Sequence, residues 1–312
     1  MMTHKNNDLG LSEVIGFILI LALVISAISI WMTYVLPAQG RELEISHMDY
    51  VGDWFLDYKI AVDSLWMNNQ IGVTDSTSLT LGSKGGNTQT SGLFLPMMQP
   101  IGSSGLLAIN NTNTLDTITV TTSNNPPNTI NMSSLTYQSN NNYWIQQQYY
   151  YQMGGIFLSQ DVNGATGATN IVSPLISIYN VNSSPSVEID SVQLNGGGTI
   201  AGEGKARVNF RLQNLNESYF VSNHNRWVTI SVNVKDYPTA IMWRNLFRDI
   251  VTRGPFPKTW YPDEINRPNP GVITQSNRAV AYINITPPVG TDVDLVIQQA
   301  NFSMSLNSIA SV

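Results

Sequence analysis

Few residues of this 312-residue chain have the type and spacing that catalysis or metal binding requires. Its three histidines, His4, His47 and His224, lie far apart in sequence, so no two have the spacing of paired metal ligands. Cysteine is absent, which excludes thiolate ligands, cysteine nucleophiles and disulfides. Serine is abundant, but no Gly-x-Ser-x-Gly nucleophile motif occurs. We therefore expect a protein that is not an enzyme and uses no cofactor or metal ion.

Three weaker patterns have simpler structural interpretations. Asp161-Val162-Asn163-Gly164 looks like the start of a calcium loop, but it lacks the later bidentate glutamate, and a polar turn explains it equally well. Asp263 and Glu264 adjoin prolines in a predicted exposed loop. A group of glycines lies between strand-like segments with no helix close behind, which favours a hairpin over a phosphate loop. This group comprises Gly196, Gly198, Gly202 and Gly204.

One carboxylate is unusual because of its surroundings. Residues 11–36 form an apolar run in which Glu13 is the only charge. As a helix this run would span about 39 Å, enough to cross a bilayer. A carboxylate in hydrocarbon is costly without a partner, and cleavage after Gly10 would create an α-ammonium at Leu11 suited to pair with it. An uncleaved signal anchor is the alternative interpretation.

The residues beside the apolar run predict its orientation. His4 and Lys5 give the amino end a weak positive bias, which favours a cytoplasmic amino terminus. Trp31 and Tyr34 lie where an aromatic belt would meet the outer interface. The rest of the chain would then be external.

The sequence from Gly10 to Phe17, GLSEVIGF, resembles the class III signal peptide of archaeal type IV pilins and archaellin-like proteins. The resemblance implies that a prepilin peptidase cuts the Gly10–Leu11 bond and removes residues 1–10. It also implies assembly into a filament. In bacterial pilins the acid is the fifth mature residue, whereas Glu13 would be the third, so its role in registering neighbouring subunits is expected from its pairing with the Leu11 ammonium and not from the resemblance. The family usually has a charged or polar residue before the small one, where this chain has Leu9. The expected core-packing residues are Val14, Ile15, Gly16, Phe17, Ile18, Leu21 and Val24.

Residues 37–70 predict an amphipathic stalk helix, with Pro37 and Gly40 expected to kink or break it at the membrane exit. Apolar residues recur at spacings of three and four, and charged residues, Glu44 among them, fill the remainder. We expect the apolar stripe to pack against the chain's own β domain; a coiled coil between subunits is the alternative. The stripe consists of Met48, Val51, Phe55, Tyr58, Val62 and Leu65.

Residues 71–312 predict an external β-rich domain. About ten to twelve short alternating runs, separated by turn-rich linkers, indicate sandwich-like sheets. One short helix is predicted over 238–253. A shift in charge suggests two lobes dividing near residue 173. The predicted fold class is therefore α+β: a long amino-terminal transmembrane and stalk helix, then a predominantly β extracellular domain with one short helix.

The predicted external surface is polar but scarcely charged. Charged residues make up 12% of the chain, about half the usual share, and the net charge is −6 without any basic cluster, which argues against nucleic acid as a partner. Exposed aromatics would suit glycan stacking, but the favoured interpretation is that alternate residues of this run face the core of a sheet. These aromatics are Tyr143, Trp144, Tyr149, Tyr150 and Tyr151. The candidate N-glycosylation sites are Asn110, Asn131, Asn182, Asn216, Asn284 and Asn301.

The sequence thus predicts a major or minor structural subunit of an archaeal pilus-like filament, serving adhesion or surface interaction. Its expected partners are copies of itself or other pilins, the prepilin peptidase and assembly machinery, the membrane, and surface glycans. The alternative is a permanently membrane-anchored protein that binds extracellular glycans or envelope components.

Overall fold

The computed structural model of the chain describes residues 8–83, 85, 99–110, 116–162, 165–181, 184–254, 256–263, 267–276 and 278–309. A long amino-terminal helix is followed by a mostly β domain with one further α-helix, α3 (Tyr237–Arg253). The predicted α+β fold class is confirmed.

The amino-terminal helix is continuous through the predicted break. Helix α1 (Asp8–Ile30) passes into a π-helical turn (Trp31–Val35) and then into α2 (Leu36–Met67). In the π turn the Leu36 backbone N–H donates to the Trp31 carbonyl, five residues back. Proline lacks an N–H and crowds the preceding turn, and the wider turn just before Pro37 accommodates it. The helix therefore does not break at Pro37 or Gly40, and the departure from regular α-helix is the π turn just before Pro37.

Sixteen β-strands lie in the part of the domain that the structure describes. The predicted number of about ten to twelve strands is therefore too low. The strands are β1 (Thr74–Thr80), β2 (Ser104–Asn110), β3 (Thr117–Thr122), β4 (Asn128–Asn131), β5 (Ser134–Asn140), β6 (Gln146–Gln152), β7 (Gly155–Val162), β8 (Ala165–Val172), β9 (Ile176–Val181), β10 (Ser184–Gly196), β11 (Gly198–Gly202), β12 (Lys205–Asn225), β13 (Val228–Val234), β14 (Gly271–Gln275), β15 (Arg278–Ile285) and β16 (Val293–Ile309).

The strands form three sheets. Sheet I has the order β1-β12-β16-β10-β9, sheet II β11-β2-β5-β6-β7-β8, and sheet III β14-β15-β13-β3-β4. Neighbouring strands are antiparallel except β10 and β16, which run parallel with Ile189 opposite Ile297. Strand β11 pairs with β2 rather than with β10. The predicted glycine hairpin is therefore wrong: the chain leaves sheet I, adds an edge strand to sheet II and returns.

Helix α2 forms one hydrophobic core, here called the α2 core, with sheets I and II. Its centre is Tyr58, which is 1% exposed and meets the Tyr151 and Phe210 rings edge-on at 5.2 Å between centroids. The Trp54 indole N–H donates to Thr77 Oγ1 of β1 at 3.0 Å. All six residues of the predicted apolar stripe are buried in this core. The prediction that the stalk packs against its own domain is confirmed.

Helix α3 forms a second core, the α3 core, with sheet III and neighbouring strands. Asp236 caps the helix, because its carboxylate accepts the Thr239 backbone N–H at 2.8 Å. The two cores do not divide the chain near residue 173. Strand β10 contributes Ile189 to the α3 core and Val192 to the α2 core, and β16 is shared in the same way. Long shared strands therefore join the two halves of the domain.

Asp190 lies on β10 between the residues of the two cores, and its Oδ1 is buried without a hydrogen-bond partner among the described residues. Burial, reinforced by the nearby Glu188 charge, raises the pKa of Asp190 from 3.8 to about 6. Folding therefore favours the protonated acid. The contribution of this group to stability is fully present below its ordinary pKa and is lost as the pH rises through about 6.

We expect Asp190→Asn, which stays neutral, to unfold at higher denaturant than the wild type at about pH 7.5, with the difference shrinking towards about pH 4. Unfolding of the detergent-solubilised chain across this range measures the effect. Glu203→Gln, a change at an exposed carboxylate, is the control. A difference that does not vary with pH would contradict the assignment.

Candidate assembly segment and its junction with the external domain

The apolar part of the amino-terminal helix has no cover from the rest of the chain. No described side chain of α1 from Glu13 to Ile30 is buried, and Phe17 is 66% exposed. By length and composition this helix, one such helix among the described residues, can cross a membrane. Exposed apolar surface of this extent requires lipid or protein around it.

Two serine hydroxyls in α1 are satisfied within the helix. The Ser26 hydroxyl donates to the Ala22 carbonyl at 2.7 Å, and the Ser29 hydroxyl donates to the Ile25 carbonyl at 2.8 Å. These bonds remove the cost of placing the two hydroxyls in hydrocarbon. A membrane or a helix bundle can therefore surround this segment without further polar partners for them.

The predicted cleavage and packing residues all lie in this helix. The backbone of Gly10 and Leu11 is within α1, and the described side chains begin at Glu13, which is exposed. Around Gly16, no other atom would come within 4 Å of an added Cβ. The six large apolar packing residues are exposed by 44% to 66%: Val14, Ile15, Phe17, Ile18, Leu21 and Val24.

Glu44 joins the helix to the domain through an arrangement that we call the Glu44 clamp. Its side chain is 1% exposed, and its carboxylate accepts three consecutive backbone N–H groups from the turn before β6. The distances are 2.6 Å to Asn142, 2.8 Å to Tyr143 and 2.7 Å to Trp144. Hydrogen bonds to an ionised acceptor are stronger than neutral ones, and here they satisfy the buried carboxylate.

The turn held by the Glu44 clamp also packs closely against α2. The Tyr143 ring lies so near Gly40 that a Cβ there would be 2.3 Å from the ring. The Arg41 guanidinium carbon lies 4.2 Å from the Trp144 ring centroid, a cation–π contact. Gly40 therefore permits a close approach and does not break the helix.

One turn further along α2, His47 contacts the domain interior. Its Nε2 lies 3.3 Å from the Leu81 carbonyl and 3.2 Å from the Tyr137 hydroxyl, which itself donates to Leu81 at 2.6 Å. These contacts indicate a proton on Nε2, donated to both oxygens. Burial lowers the pKa of His47, although the Leu81 hydrogen bond opposes this. The ring is a neutral part of the junction.

Sequence reasoning placed Glu44 on the solvent side of the stalk, and this prediction is wrong. The spacing contained a signal, because positions 47, 44 and 40 continue the buried stripe backwards from Val51 at steps of four, three and four. A carboxylate on a buried face requires hydrogen-bond donors. The sequence could therefore indicate that Glu44 needs partners, but not that the partners are at residues 142–144.

The aromatic residues proposed for surface binding face inwards. Tyr151 is fully buried in the α2 core, and Tyr149 stacks on Phe55 at 5.9 Å. Tyr150 faces the other side of β6 and stacks on Phe157 at 5.1 Å, against the α3 core. Both faces of β6 are covered, which explains three consecutive tyrosines. The surface-binding interpretation is therefore wrong for Tyr151. Tyr149 and Tyr150 are half-buried and packed on core rings, and Tyr143 and Trp144, also half-buried, belong to the clamped turn.

The candidate glycosylation sites differ in access. Asn110, Asn131 and Asn216 are exposed, whereas Asn284 is half-buried and its Oδ1 accepts hydroxyls of Thr229 and Thr286. Asn301 is half-buried and donates to Asn214 Oδ1 at 2.7 Å. Asn182 lies outside the described residues.

The described residues contain no group of three or more His, Cys, Asp or Glu side chains arranged to hold a metal ion. His224 is exposed, and its Nδ1 lies 3.4 Å from an Asp292 carboxylate oxygen. Two residues of the calcium-like sequence, Asn163 and Gly164, lie outside the described residues, as does Glu264.

We expect Glu44→Gln to lower the free energy of unfolding by about 2 kcal/mol or more, because a charged acceptor of three backbone donors is lost. Glu42→Gln, on the exposed face of the same helix, should change it by less than about 0.5 kcal/mol. Denaturant unfolding of the two variants in detergent micelles makes the comparison. Equal effects would show that the Glu44 clamp does not hold the junction.

Comparisons of the chain with protein-family models, curated proteins and solved structures find no match. The resemblance of residues 10–17 to archaeal pilin signals therefore stays a prediction.

Proposed function

We propose that the chain is a structural subunit, major or minor, of a surface filament of the archaeal type IV pilus kind. The observation that carries the proposal is the uncovered apolar helix α1, which continues without a break into α2 and is fixed there to a folded domain. A helix presented in this way can exchange lipid for copies of itself while the domain remains outside.

The residues of α1 suit close packing between helices. Small side chains let helix backbones approach, and Gly16, Ala22 and Ala27 supply them within an otherwise bulky apolar surface. Glu13 would need a partner once surrounded by apolar side chains. The α-ammonium of Leu11, freed by removal of residues 1–10, supplies a partner that registers one subunit against the next.

In this proposal the subunit spans the membrane once, with its amino terminus cytoplasmic, until assembly moves it into an extracellular filament. The peptidase and assembly machinery are separate proteins, so this chain needs no catalytic group. The few charges and many amides and hydroxyls of residues 71–312 suit an external surface, and exposed Asn131 and Asn216 are accessible for modification.

A permanently anchored glycan- or envelope-binding protein is the competing function. Burial of Tyr151 and stacking of Tyr149 and Tyr150 on core rings leave less aromatic surface for that function than the sequence suggested. The competing function also predicts a different fate for the leader, because an anchored protein keeps residues 1–10 and a filament subunit loses them.

We expect mass spectrometry of the native protein to find Leu11 as its first residue and to find the chain in sheared surface fibres. Gly10→Phe should block removal of the leader and abolish fibres, because the proposed peptidase requires a small residue there. Asn6→Phe, within the leader, should leave processing intact. A native chain that begins at Met1 or Met2 and stays with the membrane would refute the filament proposal.

A further inference from the structure

A cavity of about 380 Å³ lies between the exposed face of α3 and the segment after it. Its lining includes Arg244 and Arg248 from α3 and Lys258 from a short 3-10 turn (Lys258–Trp260). The two arginines are four residues apart and therefore lie on the same face of the helix. Tyr261 and Asp263 also line the cavity.

The wall opposite α3 is held in place by a buried amide. Asn269 is 2% exposed, and its amide group donates to the Pro262 carbonyl at 3.2 Å and to the Asn284 carbonyl at 2.6 Å. Its Oδ1 accepts the Asn284 backbone N–H at 2.9 Å. This segment is therefore tied to β15, and the cavity is shaped before any ligand arrives.

Only one of the three cations is neutralised by the described lining. Lys258 pairs with Asp263 at 2.9 Å and lies 4.6 Å from the Tyr261 ring centroid. The Asn269 backbone N–H and the Lys258 side chain hold the pKa of Asp263 below its ordinary value, so this carboxylate stays charged. Neither Arg244 nor Arg248 forms an ion pair with a carboxylate of the described residues.

The positive charge of this cavity differs from the charge of the chain as a whole. The whole chain carries a net charge of −6 and only 15 Lys and Arg residues. Two guanidinium groups on one cavity wall, with no carboxylate partner among the described residues, favour a local positive potential in an otherwise acidic, sparsely charged protein. Guanidinium groups bind carboxylate and sulfate oxygens through paired hydrogen bonds.

The size and lining of the cavity indicate a ligand larger than a simple inorganic anion. Its volume is within the usual range for small-molecule sites. Tyr261, Pro268 and Pro270 add apolar surface to the cationic wall. A sugar ring has apolar C–H faces as well as polar edges, so this lining suits a charged sugar better than a bare anion.

We propose that this cavity binds a carboxylate- or sulfate-bearing sugar of an external glycan. Arg244 and Arg248 hold the acidic group, and Tyr261 contacts the ring. The inference deepens the proposed function and rests on its external placement of the domain: it assigns the surface interaction to a site at α3, on a different helix from the assembly segment.

Isothermal titration of the full chain in a sugar-free detergent tests the site with trigalacturonic acid and sulfated maltotriose as acidic probes. Neutral maltotriose and sulfate ion are the reference ligands. We expect saturable binding of at least one acidic sugar and none of maltotriose. Arg244→Gln/Arg248→Gln should weaken that binding at least about tenfold without shifting the unfolding temperature.

Arg207→Gln/Arg211→Gln is the matched control, because both arginines are exposed on β12, next to residues of the α2 core. The proposal is overturned by no binding of either acidic sugar, by sulfate ion binding as tightly as the sugars, or by equal losses in the two double variants. Cells that express the Arg244→Gln/Arg248→Gln variant should still form normal fibres. Fibre formation therefore tests the filament proposal separately from the sugar-binding proposal.

Discussion

One continuous helix is buried against the β domain along α2 and exposes apolar side chains along α1. The rest of the structure depends on this constraint. From α2 onward its apolar face is buried, with Val51, Phe55 and Val62 fully inaccessible to solvent. In α1 none of the described side chains from Glu13 to Ile30 is buried. The π turn before Pro37 keeps the helix continuous, so α1 extends away from the α2 core and its apolar side chains stay exposed among the described residues.

Contacts at the start of α2 fix the helix to the β domain. The Glu44 clamp, the ring packed on Gly40 and the neutral His47 contacts fix the domain to the first turns of α2, close to the predicted membrane exit. Without disulfides, the domain beyond the junction is held by shared long strands: β10, β12 and β16 of sheet I extend from the α2 core to the α3 core. A chain built in this way couples the position of α1 to that of the β domain.

Local patterns in the sequence predicted the elements better than their pairing. The apolar run, the stalk stripe and helix α3 each depend on a repeated spacing within one segment, and each was found. The parallel pairing of β10 with β16, whose register joins Ile189 to Ile297, has no local signature. The pairing of β11 with β2 also has no local signature, so the sequence predicted a hairpin there instead.

The candidate site was predictable to the same extent. The apolar composition of residues 11–36 was enough to predict a membrane-crossing helix. The partners of Glu44 could not be predicted, because they lie about a hundred residues away along the chain. Three consecutive tyrosines at 149–151 suggested an exposed surface because alternation is the usual pattern of a half-buried strand. The pattern differs here because α2 covers one face of β6 and the α3 core covers the other.

Disulfide cross-linking between copies of α1 most directly tests the claim that like helices surround α1. Because the chain has no native cysteine, any disulfide must form between introduced cysteines. Single cysteines placed in turn at positions 14 to 24 can be oxidised in intact cells and in sheared surface material. If like helices surround α1, subunits will join as dimers with a helical period of about 3.6 residues, while Ser218→Cys in the external domain gives none. If α1 is surrounded only by lipid, every position will remain monomeric, and the filament account will be contradicted.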